Sequence, residues 1–234
     1  ARASRDAVVK ILEEKDLLQK VDENYVHNLS VCYRCGTAIE PLVSDQWFID
    51  VNKPIITDGT KKKSLKEKAL EVVKKGEIEI IPDRFNKIYY HWIENLRDWC
   101  ISRQLWWGHQ IPVWYCQDQK KPSCKNPIVA TETPQQCPHC SSKNLTQDPD
   151  TLDTWFSSGL WTFSTLGWPQ KTVDLEYFHP TSVLETGHDI IFFWVARMIL
   201  MTNYALDQVP FEKVYLHGLV RDRPDRGREG PARD

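Results

Sequence analysis

The sequence feature that most restricts the fold is a strand–helix–strand pattern in residues 182–216. Residues 182–185 and 213–216 are short runs of strand character, and the apolar stretch 189–206 between them has the length of a buried helix. A crossover of this kind is right-handed and leaves its two strands parallel in one sheet. The pattern therefore predicts a βαβ unit and places the chain in the α/β class.

The carboxyl ends of the two predicted strands form the predicted binding site, because ligands of parallel sheets bind there. The strands run into Gly187 and Gly218, and a glycine lets a ligand approach the backbone closely. Asp189 stands at the predicted helix start, where its carboxylate could hold an ammonium group.

A small apolar pocket is predicted beside that site. Ile190 and Trp194 are four residues apart and would share one face of the helix. A strand or turn at residues 151–155 would deliver Trp155 next to them. The pocket would suit a small branched side chain. On helical spacing alone, however, an ordinary core position is favoured for both tryptophans.

The composition limits the classes of partner. The chain has 234 residues, 41% of them hydrophobic, which is enough for a real core, and its net charge of −2 provides no overall basic field. Any RNA contact is therefore expected to be local. The longest apolar run, 190–196, is far shorter than the ~20 residues of a membrane span. No signal peptide opens the sequence, so we expect a cytoplasmic protein without a membrane partner.

The cysteines predict a metal site. Seven cysteines without a secretory leader are expected to be reduced thiols. Four of them lie in a hydrophilic loop that cannot build its own core, and bound zinc would supply the missing folding energy. These four ligands are Cys116, Cys124, Cys137 and Cys140. The alternative, four unbound core thiols, is disfavoured because hydrophilic loops do not bury cysteines. Cys32 and Cys35 offer half of a second site, and Cys100 is predicted to be a packed, inert thiol.

Local signals mark the elements that precede the cysteine loop. A helix is predicted over residues 4–18, and a second begins at a capping box formed by Ser64 and Glu67. Residues 77–81 alternate like a strand, and regularly spaced apolar residues predict a third helix over 85–96.

Four segments, in order along the chain, resemble the class I aminoacyl-tRNA synthetases of the valine, isoleucine and leucine group. They read DWCISRQLWWGH at 98–109, DTWFSS at 153–158, TGHDIIFFW at 186–194 and HGLV at 217–220. The resemblance covers residues 1–222 and is closest to the valine-specific branch, because the isoleucine branch has a Gly-x-Asp-Gln-x-x-Gly-Trp form at 187–194. It implies an α/β fold: part of a Rossmann-type class I synthetase catalytic domain, with an inserted zinc-binding loop and the tail of an editing insertion.

The resemblance also implies an activity. It is the ATP-dependent activation of valine to valyl-adenylate, with Mg²⁺, followed by transfer to tRNA(Val), in a protein that is monomeric at full length. Catalysis of this kind is mostly orientation and charge stabilisation, so no covalent nucleophile is expected.

Residue roles are implied by position. The walls of the valine pocket would be Trp155, Ile190 and Trp194, which reverses the reading of the two tryptophans as plain core. The residues facing the adenylate, the amino group and the nucleotide would be Gly187, Asp189, His217 and Gly218. Arg103 and Gln104 would contact the adenylate or the tRNA end. The nearby tryptophans assigned to packing are Trp99, Trp106, Trp107 and Trp114.

The sequence departs from the family pattern because it lacks the His-Ile-Gly-His and Lys-Met-Ser-Lys-Ser motifs. The chain alone is therefore expected to be inactive. The implied segments are a remnant of the editing insertion (1–50), a helical return to the catalytic domain (51–115), the zinc-binding loop (116–150), the second part of the Rossmann domain (151–220) and a disordered tail (221–234).

Two alternatives stay open at this point. One is the isoleucine branch of the same family. The other is a free-standing zinc-binding RNA module, suggested by Lys120, Lys121 and Lys125 in the cysteine loop. Such a module would bind tRNA tightly, and its affinity would fall steeply as the salt concentration rises.

Overall fold

A computed structural model describes residues 2–22, 24–26, 28–40, 43–58 and 61–220. It contains two compact units, Ala1–Asp45 and Gln46–Asp234. The predicted tail, 221–234, lies outside the described residues.

The secondary structure is numbered here in chain order. The α-helices are α1 (Arg2–Glu14), α2 (Leu65–Lys74), α3 (Asn86–Glu94), α4 (Thr154–Gly159), α5 (Trp161–Ser164), α6 (Val173–Phe178) and α7 (Arg197–Leu206). The strands are β1 (Phe48–Ile49), β2 (Pro54–Asp58), β3 (Lys61–Ser64), β4 (Glu79–Ile81), β5 (Trp99–Cys100), β6 (Ser102–Arg103), β7 (Val113–Cys116), β8 (Ile128–Val129), β9 (Leu145–Gln147), β10 (Thr151–Leu152), β11 (Thr181–Gly187) and β12 (Phe211–His217).

The first unit consists of α1 and a small turn around Cys32. The predicted helix is present but ends at Glu14, because Asp16 adopts a left-handed conformation with φ of 54°. The Cys32 amide donates to the Thr37 carbonyl at 2.8 Å, and its own carbonyl accepts from the Gly36 amide at 2.8 Å. These bonds give the segment the form of a metal knuckle.

The second unit is built on a three-stranded parallel sheet in the order β11-β12-β4. The predicted βαβ unit is confirmed, since β11 and β12 are parallel neighbours. Their register places Gly187 opposite His217, so the two glycine-containing ends lie side by side. The strand predicted over residues 77–81 is also present and adds β4 to the same sheet.

One buried apolar cluster joins α2, α3, α7 and the parallel sheet. The predicted capping box starts α2: the Ser64 hydroxyl accepts from the Glu67 amide at 3.2 Å, and the Ser64 amide donates to the Glu67 carboxylate at 2.8 Å. On α3, the fully buried Tyr89 donates its hydroxyl to the Ala69 carbonyl of α2 at 2.9 Å. Helix propensity, capping and burial therefore agree in this region.

The crossover between β11 and β12 is not a uniform α-helix. It begins with a 3₁₀ turn, His188–Ile190, continues as a π-helical turn, Ile191–Ala196, and only then becomes α7. Its length and apolar character would suffice for a membrane span, but 56% of its most apolar window is buried inside the domain. We therefore assign it as the core helix of the sheet.

Two short antiparallel pairs return the chain from α3 to the sheet. Strand β5 pairs with β1, with Trp99 opposite Ile49, and β6 pairs with β10, with Arg103 opposite Thr151. A separate antiparallel sheet, in the order β8-β7-β9, carries the cysteine loop.

His179 is a buried histidine that predicts a pH effect on stability. Its side chain has one ring nitrogen, Nδ1, 3.4 Å from the Thr162 carbonyl, while Nε2 is enclosed and has no hydrogen-bond partner among the described residues. Burial lowers the pKa of His179 below its ordinary value of 6.5, against an opposing effect of the Thr162 carbonyl. The unfolded chain therefore takes up the proton first as the pH falls.

We expect the free energy of unfolding to decrease as the pH falls from 7.5 through 6.5 to about 5.5, more in the parent chain than in a His179→Gln variant. Urea unfolding at the first and last of these pH values measures the difference. His91→Gln, at an exposed position, is the control and should keep the pH dependence of the parent. An equal pH dependence in the His179 variant and the parent would contradict the prediction.

Candidate functional site

The predicted adenylate-binding residues come together at the carboxyl ends of β11 and β12. His188 Nδ1 lies 3.1 Å from the His217 carbonyl oxygen, and His217 Nε2 lies 3.3 Å from Glu185 Oε1. A Cβ atom added to Gly187 would lie 2.5 Å from Asp189 Oδ1. The Asp189 carboxylate therefore occupies the space that the missing side chain leaves open, and it remains exposed to a ligand.

The predicted pocket walls are carried by neighbouring elements. Trp155 lies in the first turn of α4 and Trp194 in the π-helical turn. The Trp194 indole donates to the Ser158 carbonyl of α4 at 3.1 Å, and the Trp155 ring lies 5.7 Å from that of Phe193. The structure thus brings both tryptophans to the contact between α4 and the π-helical turn. Ile190 is half-buried at the end of the preceding 3₁₀ turn, so the α-helical spacing argued from the sequence does not describe it.

The buried carboxylate of Asp153 connects this site to the stretch at 98–103. One carboxylate oxygen, Oδ1, caps α4 by accepting from the Trp155 amide at 3.3 Å. The other, Oδ2, accepts from the Trp99 indole at 3.2 Å and from Arg103 Nη2 at 3.1 Å, and it lies 3.6 Å from Arg197 Nη1. Burial lowers the pKa of Arg197 to about 10, although Asp153 opposes the change, so this guanidinium is charged at neutral pH.

Arg103 and Gln104, the predicted contacts to the adenylate or the tRNA end, both take part in internal bonds. Arg103 Nη1 donates to the carbonyl groups of Cys100 and Ser102, at 3.0 and 2.8 Å. Gln104 Nε2 donates to Asp150 Oδ2 at 2.9 Å. The Arg103 bonds fix the stretch internally, and the Gln104 bond ties it to Asp150, the residue before β10. The contact with a ligand stays a prediction.

The packing roles assigned to four tryptophans are half right. Trp99 and Trp114 are buried, but Trp106 is 100% exposed and Trp107 is 89% exposed. Both exposed residues lie in the loop between β6 and β7, which Gly108 turns with φ of +142°. The error arose because tryptophan content alone does not distinguish a core segment from a projecting loop.

The four predicted metal ligands form one cluster. Their sulfur atoms all lie within 4.8 Å of one another, with 3.7 Å between Cys116 and Cys140 and 3.9 Å between Cys124 and Cys137. A tetrahedral zinc with Zn–S bonds of about 2.3 Å requires sulfur atoms about 3.8 Å apart. The arrangement could therefore bind a metal ion of this kind.

The protonation of the cluster is compatible with metal binding. Although burial acts to raise it, donation from the His139 and Cys140 amides lowers the pKa of Cys137 to about 7. A thiolate, the form that coordinates metal, is thus accessible near neutral pH. Burial raises the pKa of the Cys116 thiol.

Cys32 and Cys35 remain the half site that the sequence predicted. In the described part of the chain, no further cysteine, histidine or carboxylate joins them into a group of three. The Cys35 thiol lies 3.3 Å from the Thr37 hydroxyl, whose hydrogen bond lowers the pKa of that thiol. Cys100, predicted to be packed and inert, is half-buried and has Sγ 3.6 Å from Gln46 Oε1.

The residues that sequence reasoning missed are Asp153 and Arg197. Asp153 precedes the first turn of α4, a position where aspartate commonly caps a helix, but residues 151–155 gave no helical periodicity. Arg197 is the one charged residue in the apolar stretch 190–206, and such a charge must be paired or caged. That signal was available in the sequence.

Comparison with known proteins identifies the family. The model of "tRNA synthetases class I (I, L, M and V)" matches residues 12–229, so the chain belongs to the class I tRNA synthetases. The fold agrees: the crystal structure of the free Mycobacterium tuberculosis methionyl-tRNA synthetase superposes with a TM-score of 0.51 at 15% sequence identity, covering 83% of this chain and 31% of that one.

Among curated relatives, the similar proteins are valine--tRNA ligases. That of Clostridium tetani is 54% identical over 219 residues, which is 94% of this chain and 23% of the relative. That of Dehalococcoides mccartyi is 55% identical over 227 residues, which is 97% of this chain and 24% of the relative. The chain therefore spans about a quarter of the length of these relatives. Neither the isoleucine branch nor a free-standing RNA module is favoured by these comparisons.

The Asp153 ion pair predicts a large loss of stability. Asp153→Ala leaves the buried Arg197 charge without its carboxylate, and removal of one partner of a buried pair costs about 3–5 kcal/mol. We expect chemical denaturation to show a decrease of that size in the free energy of unfolding. Asp174→Ala, at an exposed position in α6, should change it by less than about 0.5 kcal/mol. A loss below about 1 kcal/mol for Asp153→Ala would contradict a structural role of the pair.

Proposed function

We propose that the chain is the part of a valine--tRNA ligase that contains the amino-acid pocket and one side of the adenylate site. The whole protein activates valine with ATP and Mg²⁺ and transfers it to tRNA(Val). The observation that carries the proposal is that Trp155 and Trp194 both lie at the contact between α4 and the π-helical turn, in a class I synthetase domain whose relatives are valine enzymes. It acts in the cytoplasm, where thiols stay reduced.

In this proposal, different residues contact different parts of the substrates. Trp155, Ile190 and Trp194 form the walls around the branched side chain of valine. The Asp189 carboxylate pairs with the ammonium group, since it is exposed at the end of β11 and its position follows from the open space at Gly187. His217 and Gly218, at the neighbouring strand end, face the nucleotide.

In this reaction the residues orient the substrates, and none of them acts as a nucleophile. Holding the valine carboxylate in line with the α-phosphate makes the reaction effectively unimolecular, and fixed charges stabilise the transition state. The apolar walls exclude isoleucine by size. They discriminate poorly against threonine, by only about a hundredfold as in valine enzymes generally, because an apolar pocket cannot strongly reject an isostere that adds a hydroxyl group.

The segments have separate roles in the proposal. Residues 1–50 belong to an editing insertion, 51–115 return the chain to the catalytic domain, 116–150 form a zinc-binding loop, and 151–220 are the second part of the Rossmann domain. Zinc at Cys116, Cys124, Cys137 and Cys140 supplies folding energy, not reactivity, because four protein ligands leave no open coordination position.

A segment exchange tests the proposed function. This chain replaces the matching 219-residue segment of the Clostridium tetani valine--tRNA ligase, and amino-acid-dependent exchange of pyrophosphate into ATP is measured. We expect activity with valine and little with isoleucine or methionine. Asp189→Asn should raise the KM for valine about a hundredfold, the effect of losing a charged hydrogen bond to the ammonium group.

Asp174→Asn, which also removes a carboxylate from the same unit, is the matched control and should keep the parent KM. A preference for isoleucine or methionine, or an Asp189→Asn variant with unchanged KM, would overturn the proposal. The chain alone should not charge tRNA with valine.

The zinc assignment is tested separately. We expect about one tightly bound zinc ion per chain, with weak occupancy at Cys32 and Cys35. Cys124→Ser and Cys137→Ser should each release the ion and expose residues 116–150 to proteases, because the loop loses its folding energy. Elemental analysis and limited proteolysis measure these effects, with Cys100→Ser as the control that retains zinc. A metal-free chain with seven freely titratable thiols would refute the assignment.

A further inference from the structure

The guanidinium group of Arg197 lies in a cage of aromatic rings. Its Cζ atom is 4.3 Å from the centroid of Trp99, 5.4 Å from Phe193, 5.6 Å from Phe192 and 5.9 Å from Trp155. The residue is 8% exposed. A cation over ring faces is attracted by their quadrupoles, most strongly when water is excluded. The cage is therefore built around a charge.

A buried arginine is not the most stabilising side chain for this position. Arg197 Nη1 is enclosed and makes no hydrogen bond within the described residues, and its nearest carboxylate oxygen, Asp153 Oδ2, is 3.6 Å away. Arg103, which donates to the same oxygen, adds a second positive charge nearby. Replacing a buried pair of this kind by apolar side chains is often neutral or stabilising. Because the buried charge is incompletely paired, we interpret the cage as a device that fixes the positions of its aromatic rings and not as one that maximises stability.

The positions that it fixes include one wall of the valine pocket. The Trp155 ring is one of the four rings of the cage, and the Trp155 amide donates to Asp153 Oδ1, the second oxygen of the same carboxylate. Backbone and side chain of Trp155 are thus tied to one ion pair. Trp194, by contrast, is held through its own indole bond to the Ser158 carbonyl.

We propose that Arg197 is a positioning residue: through its aromatic cage and Asp153 it sets where Trp155 stands, and so sets the width of the valine pocket without being a wall of it. The role in selectivity rests on the proposed function. A planar guanidinium can lie against several rings and face a carboxylate at once, whereas a lysine ammonium is a point charge on a flexible stem. Arg197→Lys keeps the charge and loses the fixed geometry.

The first test uses the full chain without substrate. Fluorotryptophan is incorporated at the ten tryptophans. The fluorine NMR signals of Trp47, Trp99, Trp114 and Trp155 are each assigned from a variant in which that tryptophan is replaced by phenylalanine. We expect Arg197→Lys and Arg197→Met to shift and broaden the Trp155 and Trp99 signals and to leave those of Trp47 and Trp114 in place. Arg84→Met, which removes an arginine 5.0 Å from the Phe85 ring outside the cage, is the control and should move none of the four.

An unchanged Trp155 signal in both variants would overturn the positioning role. So would a loss of dispersion across all ten signals in both variants, because that result means a general contribution to stability. If Arg197→Met unfolds, the lysine variant decides the question, since it keeps a cation opposite Asp153.

The second test measures selectivity in the exchanged ligase. We expect Arg197→Lys to raise the KM for valine more than it lowers kcat, and to reduce the discrimination of valine over isoleucine by about tenfold. Arg84→Met should change neither. Unaltered discrimination in an active Arg197→Lys ligase would overturn the control of pocket width. In contrast, if the exchanged ligase that carries the parent chain were inactive, the proposed function would be refuted. The fluorine NMR result, which needs no substrate, would still test the positioning role.

Discussion

The buried carboxylate of Asp153 is the contact on which the site depends. Three parts of the chain contact its two oxygens: residues 98–103 through Trp99 and Arg103, α4 through the Trp155 amide, and the start of α7 through Arg197. These parts are distant in sequence, and among the described residues only the first two are also joined by strand pairing, between β6 and β10. The Asp153 carboxylate therefore adds to the β6–β10 pair and links it to the start of α7.

A second buried aspartate attaches the cysteine loop in the same manner. Asp148 Oδ2 accepts from the Trp47 indole at 2.8 Å and from the Tyr115 hydroxyl at 3.0 Å, while Oδ1 accepts from the Asp150 amide at 3.0 Å. Asp148 thus joins β7, through Tyr115, to Trp47 in the segment just before β1. Both aspartates lie just before β10 and α4, which places two anchors within six residues.

The sequence was sufficient to predict a structural feature where one physical signal dominated. The capping box at Ser64, the cysteine spacing and the parallel βαβ unit each follow from local chemistry or periodicity, and each is present in the structure. It was insufficient where long-range contacts decide. The exposure of Trp106 and the cage around Arg197 depend on which surfaces meet, and the π-helical turn departs from the α-helical period that pattern analysis assumes.

The π-helical turn makes the length of this segment as important as its composition. A π turn accommodates one residue more than an α turn in the same helix. Deletion of one residue within Ile191–Ala196 would let an α-helix form throughout, and the aromatic side chains before the deletion would rotate by about 100° relative to α7. A deletion after Trp194 would therefore turn Phe192, Phe193 and Trp194 away from Arg197 and Ser158, although none of the three is replaced. In this segment, a change in length should disturb the site more than a substitution.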